Sequence, residues 1–295
     1  ISAGAILGLL VGSFLNVVIL RLPRRLFFLW EQQCREHLEQ LTDTTAASQE
    51  AATNANLTQD SSEAENSTPG TATTAASPNS EGQQAQAIAP PGIVFEPSHC
   101  MRCKRELSAW ENIPVLSYLI LRGRCRSCGV QISLRYPMIE LLTSILSAVV
   151  LWQFGFTGAG LGALLLTWSL IALCGIDWDH HLLPDNITLP LLWLGLIFNL
   201  SGTYSSLNDA VLGAVSGYLI LWSVFQGFRL LTGKEGMGYG DFKLTAALGA
   251  WLGWQLIPVI MLAASLSGSI IGLTLILIGR QQSDKPIPFG PYLAI

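Results

Sequence analysis

Apolar residues in this chain gather into long runs, and the alternation of a half-buried strand is absent. Runs near residues 2–20, 137–154, 158–176, 187–201, 208–228, 242–254 and 256–279, with another beginning at Pro288, read as spans of a hydrocarbon layer ~30 Å thick. Gly, Pro, Asn and Asp fill the breaks, as they do where helices end and the chain turns. A buried soluble core can imitate one such run, but not seven. The pattern predicts an all-α polytopic membrane protein of about eight transmembrane helices, the last truncated by the end of the chain. Its divisions are a first transmembrane helix over 1–20, a polar cytoplasmic domain over 21–136 and a membrane domain over 137–295.

Composition sharpens the picture. Of 295 residues 50% are hydrophobic and 12% charged, against roughly 25% charged in an average soluble domain. Alternating the spans puts residues 21–136, 177–186, 229–241 and 280–287 on one side. These segments, with Lys243 just beyond one of them, hold all 16 Lys and Arg residues. By the positive-inside rule that side is the cytoplasm, so the N-terminus lies outside. The first run has no basic residue before it and meets Arg21, Arg24 and Arg25 after it, which marks a span rather than a signal peptide. A net charge of −4 with no basic domain argues against nucleic acid as a partner. Residues 41–92 contain no Lys, Arg or aromatic residue; too little apolar area is available to offset ordering entropy, and a disordered tether is expected. The opening on Ile1 and the close at Ile295, a few residues into an apolar run, both read as clipped.

Two motifs carry chemistry. Cys100-x2-Cys103 and Cys125-x2-Cys128 stand 21 residues apart, close to the spacing of four-cysteine zinc sites. Residues 97–135 should form a small module that gains its folding energy from one structural zinc ion. A redox dithiol is the rival, but it normally sits on a thioredoxin-like βαβ unit, and no such pattern is visible. His99 is a further candidate ligand, but four thiolates already complete the site. Cys34 and Cys174 read as small apolar residues.

The second motif is a set of acids in or beside apolar runs: Glu140, Asp177 and Asp241. Such residues usually face a polar interior and mark function. Asp177 ends one span and Asp241 opens another, so the topology puts both at the cytoplasmic membrane face, although 64 residues separate them. Gly236, Gly238 and Gly240 leave room beside Asp241 for another backbone. Two carboxylates at one depth suggest an aspartic-protease dyad sharing one proton. Two other readings stay open: plain interfacial acids at helix ends, and a metal cluster of Asp177, Asp179, His180, His181 and Asp185. A transporter or secretion-complex scaffold is the non-enzyme alternative.

The ordered motifs Gly12-Ser13-Phe14-Leu15-Asn16-Val17, Arg21-Leu22-Pro23, Pro97-Ser98-His99-Cys100-Met101-Arg102-Cys103 and Glu111-Asn112-Ile113-Pro114-Val115-Leu116-Ser117-Tyr118 resemble the bacterial type IV prepilin peptidases. So do Arg122-Gly123-Arg124-Cys125, Arg135-Tyr136-Pro137-Met138-Ile139-Glu140, Ile176-Asp177, Leu182-Leu183-Pro184-Asp185 and Gly238-Tyr239-Gly240-Asp241-Phe242-Lys243. The resemblance implies an eight-helix inner-membrane aspartic protease with Asp177 and Asp241 as its catalytic pair. It implies cleavage of the short basic leader of prepilins and pseudopilins at the cytoplasmic face, then methylation of the new N-terminal residue by S-adenosylmethionine. Glu140, Lys243, Gly238 and Gly240 are supporting candidates. No dinucleotide-type glycine motif follows a strand, so the methyl donor is expected between the cysteine module and the cytoplasmic helix ends, near Glu111, Asn112, Gly123, Arg124 and Glu140.

Overall fold

The apolar runs are helices in the computed structural model, which describes residues 2–59, 90–94, 96–100, 102–108, 111, 113–233, 237–278 and 288–294. In chain order they are α1 (Ser2–Gln59), α2 (Leu116–Ile120), α3 (Arg135–Phe154), α4 (Gly158–His180), α5 (Asp185–Asn199), α6 (Leu207–Thr232), α7 (Tyr239–Leu252), a single 3-10 turn (Trp254–Leu256), α8 (Ile257–Leu277) and α9 (Gly290–Ala294). Among the described residues there is no strand, only two isolated antiparallel bridges. By its internal contacts the chain divides into one unit of Ile1–Pro23 with Gly92–Ile295 and another of Arg24–Pro91.

Two expectations change. The first span was expected to end at Leu20 and a disordered tether to begin at 41, yet α1 continues to Gln59. Leu, Glu, Gln, Arg and Ala dominate that extension, and these residues sustain a helix by propensity without a core. Thr42, Thr44 and Thr45 turn their hydroxyls back onto carbonyls three or four residues earlier, and Arg35 pairs with Glu31 one turn away. The remainder of the tether, 60–89, lies outside the described residues. The second concerns the count of about eight spans: among the described residues five helical stretches are long and apolar enough to cross a membrane, Ser2–Thr42, Arg135–Phe154, Gly158–His180, Leu207–Thr232 and Trp254–Leu275. Helices α5 and α7 have 15 and 14 residues, only ~22 Å and ~21 Å at 1.5 Å per residue. From Asp241 to Trp251 every residue of α7 except Lys243 is buried. A helix sheathed in other helices need not match the thickness of lipid.

Close packing of small residues brings these helices together. Gly4, Gly8 and Gly12 recur every fourth residue along α1, and the lack of side chains lets α3 approach: a Cβ at Gly8 would lie 2.6 Å from the Ser144 Cα, and one at Gly12 2.8 Å from the Glu140 Cα. This is the small-residue packing that joins helices where lipid leaves no hydrophobic drive for association. Hydrogen bonds from Ser144 Oγ to the Ala5 carbonyl and from Asn16 Nδ2 to the Tyr136 carbonyl tie the pair. On the other side, Gly213 and Gly217 of α6 meet Gly249 and Thr245 of α7 backbone to backbone. Trp251 of α7 fills the space over Gly195 of α5 and donates its indole N–H to the Leu191 carbonyl at 2.8 Å. Asn199 finishes α7 by donating to the carbonyls of Ala250 and Trp251 while accepting from the N–H groups of Tyr204 and Ser205. Around α7 a core forms from Leu173, Leu183, Leu191, Leu244, Leu248 and Trp251, and α9 adds Tyr292 and Leu293 to it. The opposite faces of the long helices remain apolar and exposed, as at Trp152, Leu262, Leu266 and Leu273, which suits a surface in contact with lipid.

Candidate active site and metal centre

Four acids converge where α4 ends and where α5 and α7 begin, and their partners separate them into two classes. Asp179 pairs with Arg135, whose other nitrogen donates to the Gly175 carbonyl at 3.1 Å. Asp185 pairs through both carboxylate oxygens with Lys243 at 2.7 Å. Asp177 and Asp241 take part in none of the ion pairs among the described residues, and they are the more deeply buried, 5% and 7% exposed. Asp177 is held in the last turn of α4, which His181 closes in the left-handed conformation. Its Oδ2 accepts a hydrogen bond from the Gly290 N–H at 3.0 Å. Asp241 sits in the first turn of α7, which Gly238 opens in extended conformation, and its buried Oδ1 has no hydrogen-bond partner.

Leu183 links the two acids. A Cβ on Gly240 would be 2.7 Å from the Leu183 Cβ, and a Cβ on Gly290 would be 2.7 Å from Asp177 Oδ2 and 3.2 Å from Leu183 Cδ2. Two buried carboxylates outside the ion pairs of the described residues, one with an oxygen left unsatisfied, form an arrangement that stores electrostatic cost for use. Where another backbone was expected beside the glycines, Gly240 meets the Leu183 side chain and Gly238 has only Asp241 Oδ2 and the Gly240 N nearby, while Gly290, which the sequence analysis passed over, lies against Asp177. A signal for Gly290 existed in Phe289-Gly290-Pro291, a glycine between residues that fix the chain, but nothing in the sequence names its partner. Gly236 lies outside the described residues. The alternative metal cluster is dispersed, because Asp179 and Asp185 point to Arg135 and Lys243. Lys243 is therefore a partner of Asp185 rather than of Asp241.

The four cysteines meet. Sγ atoms of Cys100, Cys103, Cys125 and Cys128 all lie within 4.8 Å of one another, the one such group of metal-ligand side chains among the described residues. Cys100 and Cys128 are 3.8 Å apart; a tetrahedron with zinc–sulfur bonds of about 2.3 Å has edges of about 3.8 Å. Two matching knuckles produce it. In the first, the Cys100 N–H bonds to the Arg105 carbonyl and the Lys104 N–H to the Cys100 carbonyl; in the second, Cys125 bonds to Val130 and Gly129 to Cys125 in the same way. Each knuckle turns through a left-handed residue, Lys104 at φ 58° and Gly129 at φ 67°, and closes with a bridge, His99 to Glu106 or Arg124 to Gln131. Backbone N–H groups of Cys103 and Arg102 pull the Cys100 thiol down to about 6, and those of Cys128 and Ser127 lower Cys125. The donor set fits a tetrahedral thiophilic ion.

Of the residues expected near the methyl donor, Glu111 accepts from Arg105 at 2.6 Å and from the Ser108 N–H at 2.9 Å. The Ser108 N–H first, and then Arg105, hold the Glu111 carboxyl below its ordinary value. Glu140 is buried and accepts from the Val115 N–H at 2.8 Å. Gly123, at φ 67°, has the Tyr118 hydroxyl against the face where a Cβ would stand. Arg124 forms the bridge of the second knuckle, and Asn112 lies outside the described residues. Glu111 and Glu140 thus have their carboxylates already committed to partners within the protein.

Comparison with known proteins adds the relation. Residues 6–154 match the bacterial peptidase A24 N-terminal domain and residues 164–273 the type IV leader peptidase family. The chain is 48% identical to a prepilin leader peptidase/N-methyltransferase of Pseudomonas aeruginosa over 98% of its own length and 86% of that protein. It is 48% identical to one of Aeromonas salmonicida over 97% of its length and 85% of that protein. A namesake in Neisseria gonorrhoeae is 44% identical over 100% of this chain and 88% of that protein. No solved structure matches. With two buried acids set at helix ends, a four-thiol cluster and relatives of this similarity over nearly its whole length, the chain belongs to the type IV leader peptidase family.

Proposed function

We propose that this protein cleaves the leader of prepilins and pseudopilins and methylates the N-terminal residue that cleavage exposes, as the names of its relatives describe. One observation carries the proteolytic half: of the four acids at the α4–α5–α7 junction, Asp177 and Asp241 alone form no ion pair among the described residues, and both are buried. Like charges held close in a partly dry site keep a proton between them. The ionised carboxylate takes a proton from water as its oxygen adds to the scissile carbonyl, and the protonated carboxyl hydrogen-bonds to the carbonyl oxygen. Collapse then breaks the C–N bond and the leaving amine takes up a proton. The Gly290 N–H fixes the rotation of the Asp177 carboxylate.

Cys100, Cys103, Cys125 and Cys128 hold one zinc ion, which supplies folding energy to the module and takes no part in proteolysis. S-adenosylmethionine, a polar molecule, reaches the new amine from the cytoplasm between the module and the helix ends. Glu111, Gly123, Arg124 and Glu140 shape that region, with Asn112 as a further candidate. The protein lies in the inner membrane with its N-terminus outside and its cysteines in the cytoplasm, and α5, α7 and the run from Pro288 bring the spans to eight. Co-expression with a prepilin and mass spectrometry of the pilin N-terminus tests both halves at once: a cleaved, methylated terminus is expected, and an intact leader overturns the proposal.

A further inference from the structure

The cysteine module is fastened to the membrane helices below their charged ends. The Val115 N–H donates to Glu140 Oε2, and Gly12 of α1 closes on the Glu140 Cα. Glu140 stands five residues past Arg135, about 7.5 Å along α3, and Gly12 stands nine residues before Arg21, about 13 Å along α1. Arg21 follows the apolar run of α1 and Arg135 opens α3, so the side chain that holds Val115 springs from a residue more than one turn inside the charged start of α3. The Val115 backbone has φ 56°, a conformation that a β-branched residue adopts only under constraint. Its N–H is held there by the buried carboxylate of Glu140.

Helix α2 begins at the next residue and turns an apolar face outward. Leu116, Leu119 and Ile120, at i, i+3 and i+4, are 50%, 66% and 71% exposed. At the same depth α3 exposes Met138, Leu141 and Leu142 around Glu140. The module, residues 97–135, carries seven Lys and Arg against two Asp and Glu. An apolar face at interfacial depth with basic residues beside it matches a helix lying in the surface of an anionic membrane.

We infer that Ile113–Leu121 is a membrane-inserted anchor: Leu116, Leu119 and Ile120 enter the acyl boundary of the cytoplasmic leaflet, and the following Arg122, Arg124 and Arg126 meet anionic headgroups. Glu140 is the latch that holds this loop at depth. The inference rests on the membrane reading above, and its test separates the two. A fluorescent amino acid is incorporated at Ile120 of the full chain, reconstituted without substrate into phosphatidylethanolamine/phosphatidylglycerol vesicles with brominated acyl chains. A probe at Val149, exposed on α3, and one at Arg126 serve as references. The expected result is quenching at Ile120 comparable to Val149 and well above Arg126, repeated by a probe at Leu116. Quenching at Val149 with none at Ile120 or Leu116 overturns the anchor alone; no quenching at Val149 overturns the membrane reading itself. If Ile120 becomes shielded only when a prepilin is added, the face is a substrate contact and the anchor is refuted.

Discussion

The cysteine module and the acid pair are both four-part constructions, but they are assembled differently. The module brings its ligands together through two copies of one local turn, each closed within seven residues of its first cysteine. The acid pair requires Asp177 from α4, Asp241 from α7, Leu183 packed against Gly240 and Gly290, and Gly290 itself from the far end of the chain. Loss of the metal should therefore be a local event. Loss of one packing contact near the acids should reach the chemistry at once, because no local turn holds those groups in place.

The largest expected effect tests the acid pair directly. Asp177→Asn and Asp241→Asn should each reduce leader cleavage by about 10³-fold or more, since members of a catalytic unit fail together, while the helical circular dichroism stays unchanged. Cleavage near the wild-type rate in either variant would break the comparison at its root. Next comes Gly290→Ala, whose added carbon would stand 2.7 Å from Asp177 Oδ2. A displaced carboxylate should cost about 10²-fold in cleavage rate with the fold retained, and an unimpaired variant would show that the Gly290 contact does not position Asp177.

On the module side, Cys100→Ser with Cys103→Ser should abolish binding of the proposed zinc ion and unfold residues 97–135, with the membrane helices intact by hydrogen exchange. Methylation should fall further than cleavage, so cleaved, unmethylated pilin accumulates; parallel loss of both activities would make the module a general scaffold. A smaller effect is expected at Lys243→Met. Its pair with Asp185 is partly exposed, and such pairs contribute about 0–1 kcal/mol, so chemical denaturation should shift little. The smallest is a pH effect. Because the folded Glu111 carboxyl lies below its ordinary value, its contribution to the module is complete above the usual glutamate range and disappears as pH falls through the lowered value. Glu111→Gln should remove that acid-side step from the module's unfolding curve, and an unchanged curve would show that the Arg105–Glu111 pair contributes nothing.

The sequence by itself determined whatever repeats or is local. Apolar run length announces α3, α4, α6 and α8, and C-x-x-C spacing announces the thiol cluster, because a two-residue gap brings two sulfurs to one turn. Acids in or beside apolar runs stand out in a chain so poor in charge, which singles out Glu140, Asp177 and Asp241 before any fold is known. Tertiary structure decided which acids are neutralised. Arg135 reaches Asp179 across 44 residues and Lys243 reaches Asp185 across 58, distances over which sequence carries no signal of pairing. It also decided that α7 is short and sheathed, since an apolar run looks the same whether lipid or other helices cover it. The glycines at 4, 8 and 12, the carboxylate of Glu140 beneath Val115 and the Gly290 N–H against Asp177 acquire meaning only from what packs against them. A missing side chain or a lone acid has no partner until the chain has folded back on itself.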